Sequence, residues 1–278
     1  MKVLVIGAHG MLGNAVFRVL SSNINLEVFG TIRSDRAETN LIESVDVADH
    51  EALIRVFELT KPNVVINCVG LIKQLNESID PVLSLSINSV FPHRLATLCD
   101  FFNSRLIHIS TDCVFSGRAG YYSEDDFPDA EDLYGRSKLL GEVIGRNNLT
   151  LRTSLIGHEL NTKNSLLEWF LSQTSKVSGF TNAIFSGLTV LEASCVIENI
   201  IIEHKELNGL YHLASTAISK YELLTIITNI YKKKIVITPS DSPKINRSLN
   251  GSRLSAITGY EAPSWDLMIE SMYRLRNL

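Results

Sequence analysis

From the first residue the chain alternates short β-branched runs with stretches of helical periodicity, the pattern of a parallel sheet covered by helices on both faces. Val3–Ile6, Leu26–Gly30, Val64–Val69, Leu106–Ser110 and Leu149–Thr153 read as buried strands. Met11–Ser21, Asp49–Leu59 and Tyr134–Arg146 read as helices between them, with Asp49 as an N-cap. Asp80-Pro81 opens another helix, because a capping carboxylate followed by a first-turn proline suits the free N–H groups there. Pro92 lacks the N–H that a helix interior needs, so a kink is expected near it. Beyond Thr153 the alternation loosens, and Gly157, Gly179, Gly187 and Gly209 cut the remainder into shorter units. Residues 1–153 are therefore expected to form the sheet domain and residues 154–278 mainly a smaller lobe, the return of some of its segments to the sheet being left open. In that lobe Ser219-Lys220-Tyr221-Glu222 has capping-box spacing and predicts a helix through Tyr231. Pro263-Ser264 predicts a last amphipathic helix ending near Arg274 and Arg276.

Composition acts mainly by exclusion. With 278 residues, 45% hydrophobic and 20% charged, the chain is a folded globular protein of roughly two domains. Lys and Arg total 26 against 30 Asp and Glu, a formal charge of -4, so no basic field attracts nucleic acid or an anionic membrane. Cys68, Cys99, Cys113 and Cys195 are scattered without metal-ligand spacing, which predicts no metal and fits a reducing cytoplasm. The opening apolar run stops at Gly7, and no stretch approaches the roughly 18 apolar residues of a membrane span, so neither export nor insertion is expected.

Chemistry enters at Gly7-Ala8-His9-Gly10-Met11-Leu12-Gly13, which follows the first strand and runs into a helix. Glycine lets backbone approach a pyrophosphate closely, and the helix start offers N–H donors and a partial positive charge. Gly7, His9, Gly10, Met11, Leu12 and Gly13 thus form the expected dinucleotide turn of a Rossmann-type, doubly wound α/β domain, with the C-terminal lobe left for substrate. At the tip of the second strand, Phe29-Gly30-Thr31-Ile32-Arg33-Ser34 offers no acid for a ribose 2′-OH. Arg33 suits a 2′-phosphate instead, favouring NADPH with NADH as the alternative. Asp46-Val47 suits the edge and face of adenine.

Ser110-Thr111-Asp112 ends a buried strand, and downstream Tyr134 and Lys138 stand four apart on one helix face. An ammonium about 5 Å from the phenol, at an effective dielectric of about 20, favours the phenolate by roughly 3 kcal/mol, about two pKa units. The spacing therefore predicts a tyrosine poised near working pH.

These segments resemble the extended short-chain dehydrogenase/reductases, and within them the dTDP-4-dehydrorhamnose reductases and related nucleotide-sugar reductases. The resemblance spans nearly the whole chain and rests on the glycine turn, Val64–Gly70, Ser110–Gly117, Tyr134–Glu142 and Leu151–Ser154. It implies Thr111, Tyr134 and Lys138 as the catalytic set, and Asn67, Cys68 and Val69 along the cofactor beside Tyr134 and Lys138. It places Arg152-Thr153-Ser154 at the rim between cofactor and sugar. It implies a substrate site of Thr111, Asp112, Cys113, Ser154, Ser186, Thr189 and Arg247, the last for a diphosphate. The implied activity is NADPH-dependent reduction of the 4-keto group of a dTDP- or UDP-linked 6-deoxy sugar, a precursor of surface polysaccharide. A homodimer is left open.

Two departures narrow the reading. The loop Cys68–Gln74 differs from many family members, so the hexose is unspecified, and Cys113 stands where nucleotide-sugar dehydratases carry a glutamate. An epimerase or epimerase/reductase of the same fold is the first alternative, and a noncatalytic nucleotide-binding regulatory subunit the second. Cys113 resembles a cysteine of GDP-4-keto-6-deoxymannose epimerase/reductases, but without a partner cation or acid it is expected to remain a packing thiol. His158 is expected to be structural.

Overall fold

The first strand shows how the sheet is buried from both sides. In β1 (Lys2–Ile6) successive side chains point to opposite faces, and Val3, Leu4, Val5 and Ile6 are all fully buried. Val3 and Val5 join a core containing Val16 and Leu20 of α1 (Met11–Ser21). After β2 (Glu27–Thr31) and β3 (Leu41–Ile42), α2 (His50–Thr60) brings Leu53, Val56 and Phe57 to the opposite core, with Leu4 and Ile6. Each such side chain contributes about 1.5–3 kcal/mol on burial. The computed structural model describes residues 1–35, 39–73, 79–160 and 162–276; Gln74 of the divergent loop lies outside them.

The remaining elements of the first half are β4 (Val64–Asn67), α3 (Pro81–Ser84), α4 (Phe91–Phe101), β5 (Arg105–Thr111), α5 (Leu133–Leu140) and β6 (Asn148–Thr153). The sheet has seven strands, all parallel, with Gly209–His212 outermost, then β6, β5, β4, β1, β2 and β3. Strand order reverses between β1 and β4, and the crevice beyond their C-terminal ends is where such a sheet receives a ligand.

Local chemistry explains the boundaries. The carboxylate of Asp49 accepts from Ala52 N at 3.1 Å, Asp80 caps α3 through Val82 N and Leu83 N, and Ser219 and Glu222 complete a reciprocal box at the helix Lys220–Ile230. The irregularity foreseen near Pro92 is a π-helical stretch, Leu85–Val90, directly before it: the helical run from Pro81 to Phe101 is unbroken, and Pro92 has no N–H for the Asn88 carbonyl four residues back. One expectation needs correction. Helix α5 ends at Leu140 instead of Arg146, because Gly141 presses so closely on the preceding helix that a Cβ there would lie 1.8 Å from the Asn88 carbonyl oxygen.

In the second half, the helix Val190–Glu203 lies against α1, with Asn23 Nδ2 donating to Glu198 Oε1 at 2.8 Å. Three small sheets complete it among the described residues: Leu155–Ile156 beside Leu188–Thr189, Lys176–Phe180 beside Val236–Ser240, and Ala183–Phe185 between Ile218–Ser219 and Ile245–Asn246. One core runs from β1 and α1 to Phe170, Leu224, Trp265 and Ile269, so the two halves share apolar interior. Among the described residues no helix is long and apolar enough to cross a membrane.

Candidate active site

The glycine turn lies at the end of β1, where the strand order reverses. Gly7 adopts φ +86°, a conformation that side chains disfavour, and its N–H donates to Thr31 Oγ1 at 3.1 Å. Gly13, in the first turn of α1, packs onto that turn so tightly that a Cβ would lie 2.1 Å from Gly7 O. Gly10 is the N-cap of α1 and offers no side-chain acceptor, nor does the first turn carry an acid. The leading N–H groups of α1, including those of Met11 and Leu12, are thereby left to an anion. Ser34 Oγ lies 3.4 Å from His9 Nδ1, bringing the tip after β2 against the turn. Arg33 is exposed and has no carboxylate partner among the described residues. Asp46 is exposed and accepts from Ala48 N at 2.9 Å, while Val47 is half-buried.

Thr111 is the last residue of β5, and its hydroxyl accepts from Cys113 N at 3.1 Å while donating to Asp112 Oδ1 at 3.2 Å. Tyr134 and Lys138 come from α5, whose N-cap Asp132 accepts from Gly135 N at 2.7 Å and pairs with Lys73 Nζ at 2.7 Å. Gly135 permits this docking, since a Cβ there would meet the Cys113 carbonyl oxygen at 2.2 Å. Lys138 is buried and donates from Nζ to Ile109 O at 2.8 Å, which fixes the ammonium at the edge of β5.

The electrostatics overturn one expectation. Burial pushes the Tyr134 phenol up from its ordinary value, and Cys113 and Asp112 add to the rise against the Thr111 side chain. Burial also lowers Lys138 to about 8, opposed by Glu142 and Cys68. The expected depression of the phenol fails because desolvation exceeds any help from an ammonium bonded to the sheet. Tyr134 therefore holds its proton at neutral pH. Burial pushes both Cys68 and Cys113 up to about 12, although Lys138 favours the thiolate of the first and Arg247 that of the second.

Several residues assigned to ligands turn inward instead. Asn67 is fully buried, with Nδ2 3.1 Å from His108 Nδ1 and Oδ1 accepting from Val69 N at 3.0 Å, so its side chain shapes the loop after β4. Arg152 is not at a rim; it is 2% exposed and engages Glu142. Ser186 accepts from Leu249 N at 2.7 Å, and Thr189 caps the helix Val190–Glu203 through Glu192 N, so both hydroxyls serve the backbone. In each case a buried polar side chain finds a partner inside the protein, as burial requires. Cys68 and Val69 are half-buried beside the turn, Val69 against Gly7. Ser154 is half-buried without a bonded hydroxyl. His158 is held between Glu168 Oε1 at 2.6 Å and Tyr231 OH at 2.8 Å.

The sequence reading missed three contributors. Asn88, in the π-helical segment, joins the loop after β4 to α5: Oδ1 accepts from Leu71 N at 2.9 Å and Nδ2 donates to Leu71 O and Ser137 Oγ, both at 3.1 Å. Lys220 shares the field of Asp112 and Cys113 with Arg247, whose Nε donates to Phe115 O at 2.8 Å. Glu142 binds Arg152 behind Thr111.

Residues 1–274 match the family described as the RmlD substrate binding domain. A "probable low-salt glycan biosynthesis reductase" of Haloferax volcanii is 30% identical over 77% of this chain and 75% of its own. A dTDP-4-dehydrorhamnose reductase of Aggregatibacter actinomycetemcomitans is 23% identical over 98% of both chains. The crystal structure of a dTDP-4-dehydrorhamnose reductase from Bacillus anthracis, solved in complex with NADP, superposes with a TM-score of 0.85 at 22% identity over 98% of each chain. Because the match covers all but the last four residues, the chain belongs to the RmlD substrate-binding domain family.

Proposed function

We propose that this chain is an NADPH-dependent reductase of the 4-keto group of a nucleotide-linked 6-deoxy sugar. The observation that carries the reading is the approach of Tyr134, Thr111 and Lys138 beside a phosphate-binding turn at the point where strand order reverses. The printed names of the relatives support the same chemistry.

The residues present fit the dinucleotide. Gly7 and Gly13 let the turn close tightly onto the start of α1, Gly10 leaves that start open to a pyrophosphate, the first turn of α1 donates to it, and Arg33 is free to pair with a 2′-phosphate. When bound, NADPH supplies hydride for the keto carbon. Tyr134 carries the proton for the developing alkoxide and begins protonated, as a donor must. The Thr111 O–H, a free rotor that here points to Asp112, turns to the same oxygen. Lys138 binds the nicotinamide ribose, charged below about 8. Arg247 and Lys220, with Ser154 at the margin, receive the nucleotide-sugar diphosphate from the second lobe.

Simple reduction is favoured over epimerisation: with its thiol pushed up to about 12, Cys113 stays protonated at neutral pH and lacks the thiolate that proton abstraction needs, despite the neighbouring cations. The test is NADPH consumption by the purified protein with dTDP- and UDP-linked 4-keto-6-deoxy sugars, with product identified by NMR. Saturable turnover to the 4-hydroxy sugar is expected. No turnover with any such sugar, in protein that binds NADPH, would reject the assignment.

A further inference from the structure

Glu142 stands four residues after Lys138, just past the end of α5. Its carboxylate takes three donors: Ser110 Oγ and Arg152 Nε on Oε1 and Arg152 Nη2 on Oε2, each at 2.7 Å. The two side chains are only 3% and 6% exposed, the ion pair most withdrawn from water among the described residues. Stability does not explain such a pair, since desolvating two charges offsets most of their attraction.

Its placement gives a better reason. Ser110, Arg152 and His212 are direct cross-strand partners on β5, β6 and Gly209–His212, forming one row on one face of the sheet. Arg152 Nη1 lies 3.4 Å from His212 Nε2, and the guanidinium stands 5.2 Å from the Phe115 ring centroid. His212 Nδ1 is bonded to Tyr122 O at 3.0 Å, which leaves Nε2 to accept from Arg152. Glu142 fastens this row to the end of α5. Thr111 follows Ser110 on one side of the fastening, and Tyr134 and Lys138 lie on the helix at the other.

We propose that Glu142 is a positioning residue of the reductase, registering the Thr111 end of β5 against the Tyr134–Lys138 helix and setting a buried carboxylate four residues from Lys138. The inference rests on the proposed reading of Lys138 as a cofactor contact. Besides Tyr134, four residues earlier on its own helix, the titratable groups that act on Lys138 are Glu142 from the segment after that helix, Cys68 after β4 and His108 on β5, with His93 of α4 acting on His108 in turn. Burial keeps His108 neutral, and Cys68 is a thiol, so Glu142 is the one full negative charge in that set. Ile109 O contributes a carbonyl dipole.

The test replaces the charge while keeping the shape. NADPH affinity, by fluorescence titration, and kcat/KM are measured from about pH 6 to about pH 10 for wild type and Glu142→Gln. A Glu142→Gln/Arg152→Met double variant, with no buried charge left unpaired, serves if the single variant does not fold. The alkaline midpoint of both readouts is expected to move down by about one pH unit or more, with near-wild-type NADPH affinity at the acid end. An unmoved midpoint, with activity lost uniformly across pH, would overturn the proposal. The NADPH titration needs no sugar, so failure of the substrate assignment leaves this result readable.

Discussion

Replacing Gly13 by alanine tests whether the glycine turn is a cofactor cradle, and the structure sets the size of the effect. The new Cβ would lie 2.1 Å from Gly7 O, 2.8 Å from Gly7 C and 3.2 Å from Ala8 Cα, all backbone atoms that cannot rotate away. Restoring contact to 3.4 Å requires the start of α1 to withdraw by more than 1 Å, a displacement of the kind that costs about 100-fold where groups must meet a ligand. Stretching two charge-assisted N–H···phosphate bonds, at about 1.5–3 kcal/mol each, gives the same order or more. Gly10 is the internal comparison: it is exposed, and a Cβ there meets only Gly7 O at 3.3 Å, so alanine disturbs the bound pyrophosphate much more than the fold. Fluorescence titration with NADPH and thermal unfolding are run on both variants. Gly13→Ala should lose affinity by about 100-fold or more together with stability, whereas Gly10→Ala should lose affinity with unfolding near wild type. NADPH binding at wild-type strength in folded Gly13→Ala would refute the cradle.

Arg33→Ala should weaken NADPH by about 1.5–3 kcal/mol while leaving NADH little changed, and equal losses would remove Arg33 from the 2′-phosphate. Lys220→Met and Arg247→Met should each raise KM for the nucleotide sugar about tenfold or more without altering NADPH affinity; an unchanged KM would place the diphosphate elsewhere. Burial, with Arg152 adding, lowers the fully buried His212 to about 4, so the unfolded chain binds its proton first. The stability from neutral His212 is present above about pH 6.5 and is lost as pH falls towards about 4, on the order of 3 kcal/mol. His212→Gln should lose that much less over this window, and parallel urea-unfolding curves would contradict the sign or size.

Periodicity made the sheet and the helix Met11–Ser21 legible, because strands buried on both faces are continuous apolar runs and helix starts carry local caps. That the glycine turn ends the first strand, and that Thr111, Tyr134 and Lys138 come near one another, was legible for a related reason: both lie in short segments at element ends. The inward bonds of Asn67, Ser186, Thr189 and Arg152 were not legible, because a polar residue near a site has the same letter whether it faces ligand or bonds inward. The Lys138 effect on Tyr134 failed for a deeper reason, since residue spacing carries no information about desolvation. Lys220 and Glu142 were hidden because their partners lie on distant strands and loops, which tertiary packing alone brings together.

The central claim is that Tyr134 donates a proton to the oxygen of a 4-keto nucleotide sugar as its carbon receives hydride. Single-turnover reduction of a dTDP-linked 4-keto-6-deoxy sugar with deuterium-labelled NADPH, by wild type and Tyr134→Phe, tests it most directly. Wild type should place deuterium on C4 of the sugar, and Tyr134→Phe should do so about 100-fold more slowly or worse with NADPH affinity unchanged. Near-wild-type turnover by Tyr134→Phe, or NADPH oxidation by wild type that leaves C4 unlabelled, would contradict it.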